Sequence, residues 1–200
     1  MSYLDDIGQW TQGEVARRRT TRSFGAALGG DRLSIIAEVK RASPSTGAIA
    51  RDANPVAIAK AYEAGGAAAI SVLTSERDFG GTLADLEAVR RAVDVPLLAK
   101  DFYIDPWQVV EARTHGADAI LLILAMVEDG LARELMQAAE DHDMDVLAEV
   151  HDLHDLRRAF DLGCPIIGVN ARNLQTLAVD LDNQRRLLRA IPHGFVVVAE

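Results

Sequence analysis

Seven short apolar runs, separated by stretches of helical patterning, constrain this chain of 200 residues more than any other feature. The runs cover residues 33–40, 68–74, 95–100, 119–125, 145–149, 165–170 and 195–200. Each is nearly continuous in apolar character, as a strand must be when both faces of a parallel sheet are covered. Helices are expected between them over 55–65, 83–92, 106–115, 130–142, 153–162 and 182–190. Gly65 closes the first of these, and Pro106 stands in the first turn of the third, where its missing N–H costs nothing. The units recur at roughly thirty residues, the size of one βα pair.

Two parallel architectures compete. A doubly wound open sheet wants a glycine-rich phosphate turn after its first strand. The turn here reads Arg41-Ala42-Ser43-Pro44-Ser45-Thr46-Gly47, which does not fit G-x-G-x-x-G. The expectation is therefore an α/β fold, a TIM (β/α)8-type barrel, as one domain over 1–200. Residues 1–32 form an N-terminal helical extension and loop, and 33–200 supply barrel strands one to seven. Because such a barrel uses eight strands, it is expected to be incomplete after the seventh. Within the extension, residues 3–18 can form a helix with Ile7, Trp10 and Val15 as a partial apolar stripe. Arg17-Arg18-Arg19 and Arg22 follow as a basic run, and Gly25, Gly29 and Gly30 mark a loop.

Charge and composition limit the partners. A net charge of −9 argues against nucleic acid, whose phosphate backbone demands basic surface, but leaves a small anionic substrate open. The single cysteine, Cys164, excludes an internal disulfide and fits a reducing compartment. Residues 1–22 lack the apolar segment of a signal peptide, and the longest apolar stretch, 119–127, is far short of the ~20 residues of a membrane helix. A soluble, cytoplasmic protein without a membrane partner is expected.

The chemistry lies at the ends of the runs. They finish on Glu38 and Lys40, Lys100, Glu149, Asn170 and Glu200. In a parallel barrel the C-terminal ends of the strands meet at one mouth, where active sites are found. Side chains alternate across a strand, so Glu38 and Lys40 share a face and can compensate each other or share a bound ion. Ser43, Ser45 and Thr46 offer hydroxyls suited to a phosphate, as any solvated turn would. Phe102, Pro44 and Leu174 could line an apolar slot, and Asp101 braces a loop or a nearby cation. Two lysines and several carboxylates close together push their pKa values apart, which creates distinct proton donors and acceptors. The five histidines are scattered. His151 and His154 lie three apart with no third ligand at metal-site spacing, and both are read as surface residues; no metal is expected.

Motifs that run in order over nearly the whole chain, Glu38-Val39-Lys40-Arg41-Ala42-Ser43-Pro44-Ser45, Lys100-Asp101-Phe102 and Gly168-Val169-Asn170-Ala171-Arg172-Asn173-Leu174 among them, resemble those of the indole-3-glycerol phosphate synthases. The carriers are Ile35-Ile36-Ala37-Glu38-Val39-Lys40-Arg41-Ala42-Ser43-Pro44-Ser45, Ile70-Ser71-Val72-Leu73-Thr74 with Phe79-Gly80-Gly81, and Lys100-Asp101-Phe102. Glu111-Ala112-Arg113, Gly116-Ala117-Asp118, Glu149-Val150-His151 and Gly168-Val169-Asn170-Ala171-Arg172-Asn173-Leu174 complete the set. The resemblance implies a phosphate-binding barrel that converts 1-(2-carboxyphenylamino)-1-deoxyribulose 5-phosphate to indole-3-glycerol phosphate without a cofactor. It implies Lys100 as general acid, Lys40 on the substrate carboxylate and Glu149 for later proton transfers. Glu38, Asn170 and Glu200 would fix these groups and bind hydroxyls, with Arg172 nearby and Ser43 on the phosphate. Thr46 stands where the family's loop carries a lysine.

The family's seventh and eighth strands are followed by turns that supply most of the phosphate cradle, so residues 1–200 alone are expected to be poorly active. Two other readings compete: a non-catalytic barrel fragment that needs a partner or self-associates through an open edge, and another phosphate-binding barrel isomerase. An isomerisation would not explain Glu38, Lys40, Lys100 and Glu149 together.

Overall fold

The computed structural model describes residues 22–30, 32–43, 47–48, 53–174 and 176–200. The helix expected over 3–18, with Arg17 to Arg19, and the loop residues Pro44, Ser45 and Thr46 lie outside the described residues. Seven described strands build one parallel sheet in chain order: β1 (Ile36–Val39), β2 (Ala69–Leu73), β3 (Leu97–Lys100), β4 (Ala119–Ile123), β5 (Asp145–Val150), β6 (Ile166–Val169) and β7 (Val196–Ala199). Strictly sequential order is the topology of a singly wound barrel and differs from the reversal that defines a doubly wound sheet.

Helices return each strand to the sheet, and their starts are set by local chemistry. Asn54 caps α2 (Pro55–Ala64), accepting from the backbone N–H groups of Val56 and Ala57. Reciprocal capping boxes open α4 (Leu83–Arg90) at Thr82 and Asp85, and α5 (Pro106–Thr114) at Asp105 and Gln108. Asp152 and Asp180 cap α7 (Leu153–Asp161) and α8 (Leu181–Ala190), while α6 (Asp129–Glu140) begins without a side-chain cap. Three small elements were not legible in the sequence: α1 (Phe24–Leu28), α3 (Glu76–Phe79) and a two-stranded ribbon pairing Ala42–Ser43 with Gly47–Ala48.

Two apolar clusters separate the faces of the sheet. Val39, Ile70, Val72, Leu97, Ala99, Ile120, Leu122, Val146, Ala148, Ile167 and Val169 point outward and pack with helix residues such as Leu86, Val109, Leu135, Leu156 and Leu187. Ala69, Leu98, Ala119, Leu121, Ile123, Leu147 and Ile166 point inward, joined by Ile36, Val196 and Val198. The sheet is curled. β3 and β7 stand four strands apart, about 19 Å if the sheet were flat at ~4.8 Å per strand. Yet Lys100 Nζ at the end of β3 lies 2.7 Å from Glu200 Oε2 beyond β7.

The Gly25–Gly30 segment, expected as a loop, carries α1 and closes the opposite end of the barrel. Ser23 caps this helix by accepting from Ala26 N–H, and Phe24, fully buried, joins the inward cluster. Asp145 at the start of β5 accepts from Gly25 N–H, and Asp118 before β4 accepts from Arg22 N–H. Tertiary anchoring therefore overrides the weak helix propensity of glycine here. β1 begins at Ile36 rather than Leu33, since Leu33 and Ile35 are exposed and the register with β2 starts at Ile36 and Ala69. β1 and β7 do not pair with each other, so the sheet is open between them.

Candidate active site

Strand parity decides which polar ends enter the barrel. Glu38 follows inward-facing Ile36, Lys100 follows Leu98, Glu149 follows Leu147 and Glu200 follows Val198. Glu38 bridges two lysines: its Oε1 lies 2.5 Å from Lys40 Nζ and its Oε2 3.3 Å from Lys100 Nζ. Lys100 in turn donates to Glu200 Oε2 at 2.7 Å. The structure thus brings Glu38, Lys40, Lys100 and Glu200 into one chain of ion pairs.

The electrostatics follow from burial against charge. Burial alone would raise the Glu38 carboxyl, but the ammonium groups of Lys100 and Lys40 outweigh it and hold its pKa below the ordinary value. Burial works against the Lys100 ammonium, but Glu200 and Glu38 overcome that and push its pKa up, so this side chain rests protonated. Glu200 is raised, because burial outweighs the attraction of Lys100 and the charges of Glu149 and Glu38 add to it. Its Oε1 is buried with no hydrogen-bond partner. The strand-end cluster therefore contains a charged acid and a carboxyl whose proton affinity is lifted, side by side.

Glu149 is 3% exposed, and its Oε1 sits 3.0 Å from His151 Nε2. The expectation that His151 is a surface residue is corrected here, for its side chain is only 12% exposed and faces Glu149 on one side and Asp155 on the other. His154, at the surface as expected, groups with Asp152 and Asp155 at the start of α7, their ligand atoms within 4.8 Å of one another. Asp155 is already engaged by His151 and Arg158.

The remaining candidate residues surround this cluster to different degrees. Asn170, just beyond β6, accepts from Arg172 N–H through Oδ1, and the Arg172 guanidinium donates to Leu177 C=O. Leu174 is exposed. Phe102 packs against the inward cluster with its ring 6.2 Å from that of Phe79. Asp101 braces its loop as expected, accepting from Thr74 Oγ1 and Phe102 N–H. The backbone of Ser43 lies in the short ribbon beyond Lys40; Pro44 lies outside the described residues.

Three supports of this site had not been singled out. Arg41 forms a bidentate pair with Asp85, both N···O distances 2.8 Å, and donates to Gly80 C=O and Ala53 C=O, which ties the loop after β1 to the start of α4. Gln184 of α8 donates to Val169 C=O and Glu200 C=O, fixing the ends of β6 and β7. A Cβ on Gly168 would collide with Glu200 Oε1, so the bare backbone of β6 makes the space that carboxylate occupies. Only Gly168 left a signal, since a glycine within an apolar strand run marks a close approach. Arg41 and Asp85 are 44 residues apart, and nothing local couples them.

A curled parallel sheet that gathers two lysines and several carboxylates at its strand ends has the architecture of an α/β-barrel enzyme. The comparisons with known proteins specify it further. The chain belongs to the indole-3-glycerol phosphate synthase family, whose model matches residues 6–200. It is 53% identical to the indole-3-glycerol phosphate synthase of Parafrankia sp. (strain EAN1pec), over 93% of this chain and 69% of that protein. Indole-3-glycerol phosphate synthase 1 of Streptomyces coelicolor is 51% identical, over 100% of this chain and 80% of the relative. Among solved structures, the N-acetylmannosamine-6-phosphate 2-epimerase of Clostridium perfringens superposes with a TM-score of 0.56 at 16% identity, over 82% of this chain and 73% of that one. At that identity it speaks for the barrel fold alone.

Proposed function

We propose that the mouth of this barrel performs the decarboxylating ring closure of 1-(2-carboxyphenylamino)-1-deoxyribulose 5-phosphate to indole-3-glycerol phosphate, a carbon–carbon lyase step of tryptophan biosynthesis. In this reading Lys100 donates its proton to the substrate carbonyl as the ring closes, carbon dioxide leaves, and Glu149 handles the proton transfers of the later dehydration. Lys40 holds the substrate carboxylate, with Glu38 and Glu200 fixing the two ammonium groups. Asn170, Arg172 and Ser43 would meet the substrate's hydroxyls and phosphate, with Phe102, Pro44 and Leu174 as its apolar slot.

The observation that carries the reading is the position of Lys100 between Glu38 and Glu200, which keeps an ammonium charged at a mouth otherwise lined by carboxylates. Steady-state kinetics on the complete enzyme test it. Lys100→Ala should lower kcat by about 10²–10⁴-fold, the usual contribution of a general acid, with a smaller change in KM. Lys40→Ala should harm both constants. Near-normal kcat in Lys100→Ala would overturn the assignment.

The partner is a phosphorylated small molecule. Among the described residues no helix is long and apolar enough to cross a membrane, and a biosynthetic role together with a buried free thiol at Cys164 favours the cytoplasm. The open flanks of β1 and β7 favour self-association through strand pairing.

A further inference from the structure

Glu149 is a buried carboxylate whose one ion-pair partner among the described residues is an imidazole. Burying a carboxylate costs several kcal/mol unless a charge compensates it. Lys100 attracts the Glu149 carboxylate through space, but the ammonium groups of Lys40 and Lys100 are in contact with Glu38 and Glu200 instead. The contacting partner is His151, with Nε2 3.0 Å from Glu149 Oε1 and Nδ1 3.8 Å from Asp155 Oδ2. Both ring nitrogens are buried, and each faces a carboxylate.

The backbone of His151 is fixed independently of its ring. Its N–H donates to Asp155 Oδ2, and its C=O accepts from Asn183 Nδ2 of α8. Asp155 is fixed as well, its N–H donating to Asp152 Oδ1 and its Oδ1 lying 3.6 Å from Arg158 Nη1. Arg158 is anchored to Asp129 Oδ1 and to Leu124 C=O and Val127 C=O. Charges thus alternate from the barrel mouth outward: Glu149, His151, Asp155, Arg158, Asp129. With an imidazolium at 151, three cations at the mouth face three carboxylates, Lys40, Lys100 and His151 against Glu38, Glu149 and Glu200.

We propose that His151 is a positioning residue, an imidazolium clamped between Glu149 and Asp155 that supplies the cation in contact with Glu149 and aims its carboxylate into the barrel mouth. The catalytic consequence rests on the function proposed above; the clamp itself does not. The titratable groups that face the ring are Glu149 from β5 and Asp155 from α7, and Asn183, the α8 side chain that reaches the His151 backbone, is uncharged. Burial lowers the imidazole pKa, but Asp155 and Glu149 outweigh it and push it up to about 9.

Two measurements test the clamp. In the wild-type chain, proton-detected titration of the His151 ring by NMR should give a midpoint near 9 rather than the ordinary 6.5. Glu149→Gln should lower that midpoint by about one unit or more, because coupling between two sites is reciprocal. A wild-type midpoint at or below 6.5, or one that Glu149→Gln leaves in place, would overturn the proposal. In kinetics, His151→Gln should reduce kcat by about 10- to 100-fold with little change in KM, as expected when a reacting group is misplaced. His151→Lys, which keeps a cation, should recover part of the loss. Equal loss in both variants would mean that shape and not charge is at issue, and would also overturn it. A complete wild-type enzyme that makes no product, but whose imidazole titrates near 9 and shifts with Glu149→Gln, would refute the function and leave the clamp standing.

Discussion

Gly168 stands opposite Glu149 in the register of β5 with β6 and opposite Val198 in that of β6 with β7. The barrel interior is crowded there. A methyl group at this position would meet Leu147 Cδ1 at 3.3 Å and collide with Glu200 Oε1. Gly168→Ala should therefore push the flexible end of Glu200 off Lys100, breaking that ion pair, while Leu147 gives way only slightly. Urea denaturation should show a lower midpoint for this variant, and kcat should fall with it. Unchanged stability together with unchanged turnover would mean that Glu200 has room to move aside and that the ion pair to Lys100 is dispensable. The identities of Glu38, Lys100, Glu149 and Glu200 were legible in the sequence as polar ends of apolar runs. The burial of His151 was not, because it depends on Asp155 in the following helix and on the depth of Glu149.

At the scale of elements, strand ends and helix starts were read more reliably than the pieces that plug or tie the barrel. α5 begins where Asp105 and Pro106 place it, and α2 where Asn54 and Pro55 do, because a cap is local chemistry. The five-residue helix α1 has no such autonomy: isolated helices of that length are not stable in water. It exists because Phe24 inserts into the inward cluster and Asp145 receives the N–H of Gly25. Phe24→Ala should cost about 3–5 kcal/mol, the range for emptying an aromatic core position. Differential scanning calorimetry measures it. A loss below about 1 kcal/mol would show that the bottom of the barrel tolerates an empty plug.

On the scale of the whole molecule, the described strands leave one flank of β1 and one flank of β7 unpaired. Edge strands present rows of free backbone groups that template pairing with other chains. The flanks are also apolar, with Ile35 exposed beside β1 and Val197 exposed within β7. Light scattering across a concentration series should give a mass that rises above the monomer value, and Val197→Lys should suppress the rise. A monomeric mass at every concentration would refute self-association. The order of elements, the parallel sheet and the polar residues at the strand ends were determined by the sequence itself. Each depends on a local period: two along a strand, 3.6 along a helix and roughly thirty along the repeat. What the tertiary structure decided is which charges meet. Glu38, Lys100 and Glu200 lie 62 and 100 residues apart in successive pairs. Only the curl of the sheet brings the ends of β1, β3 and β7 together, and there burial raises Glu200 while neighbouring carboxylates, outweighing burial, keep Lys100 and His151 protonated. No periodicity along the chain encodes a contact between distant strands or the desolvation that follows from it, since both arise when the inward faces close on one another.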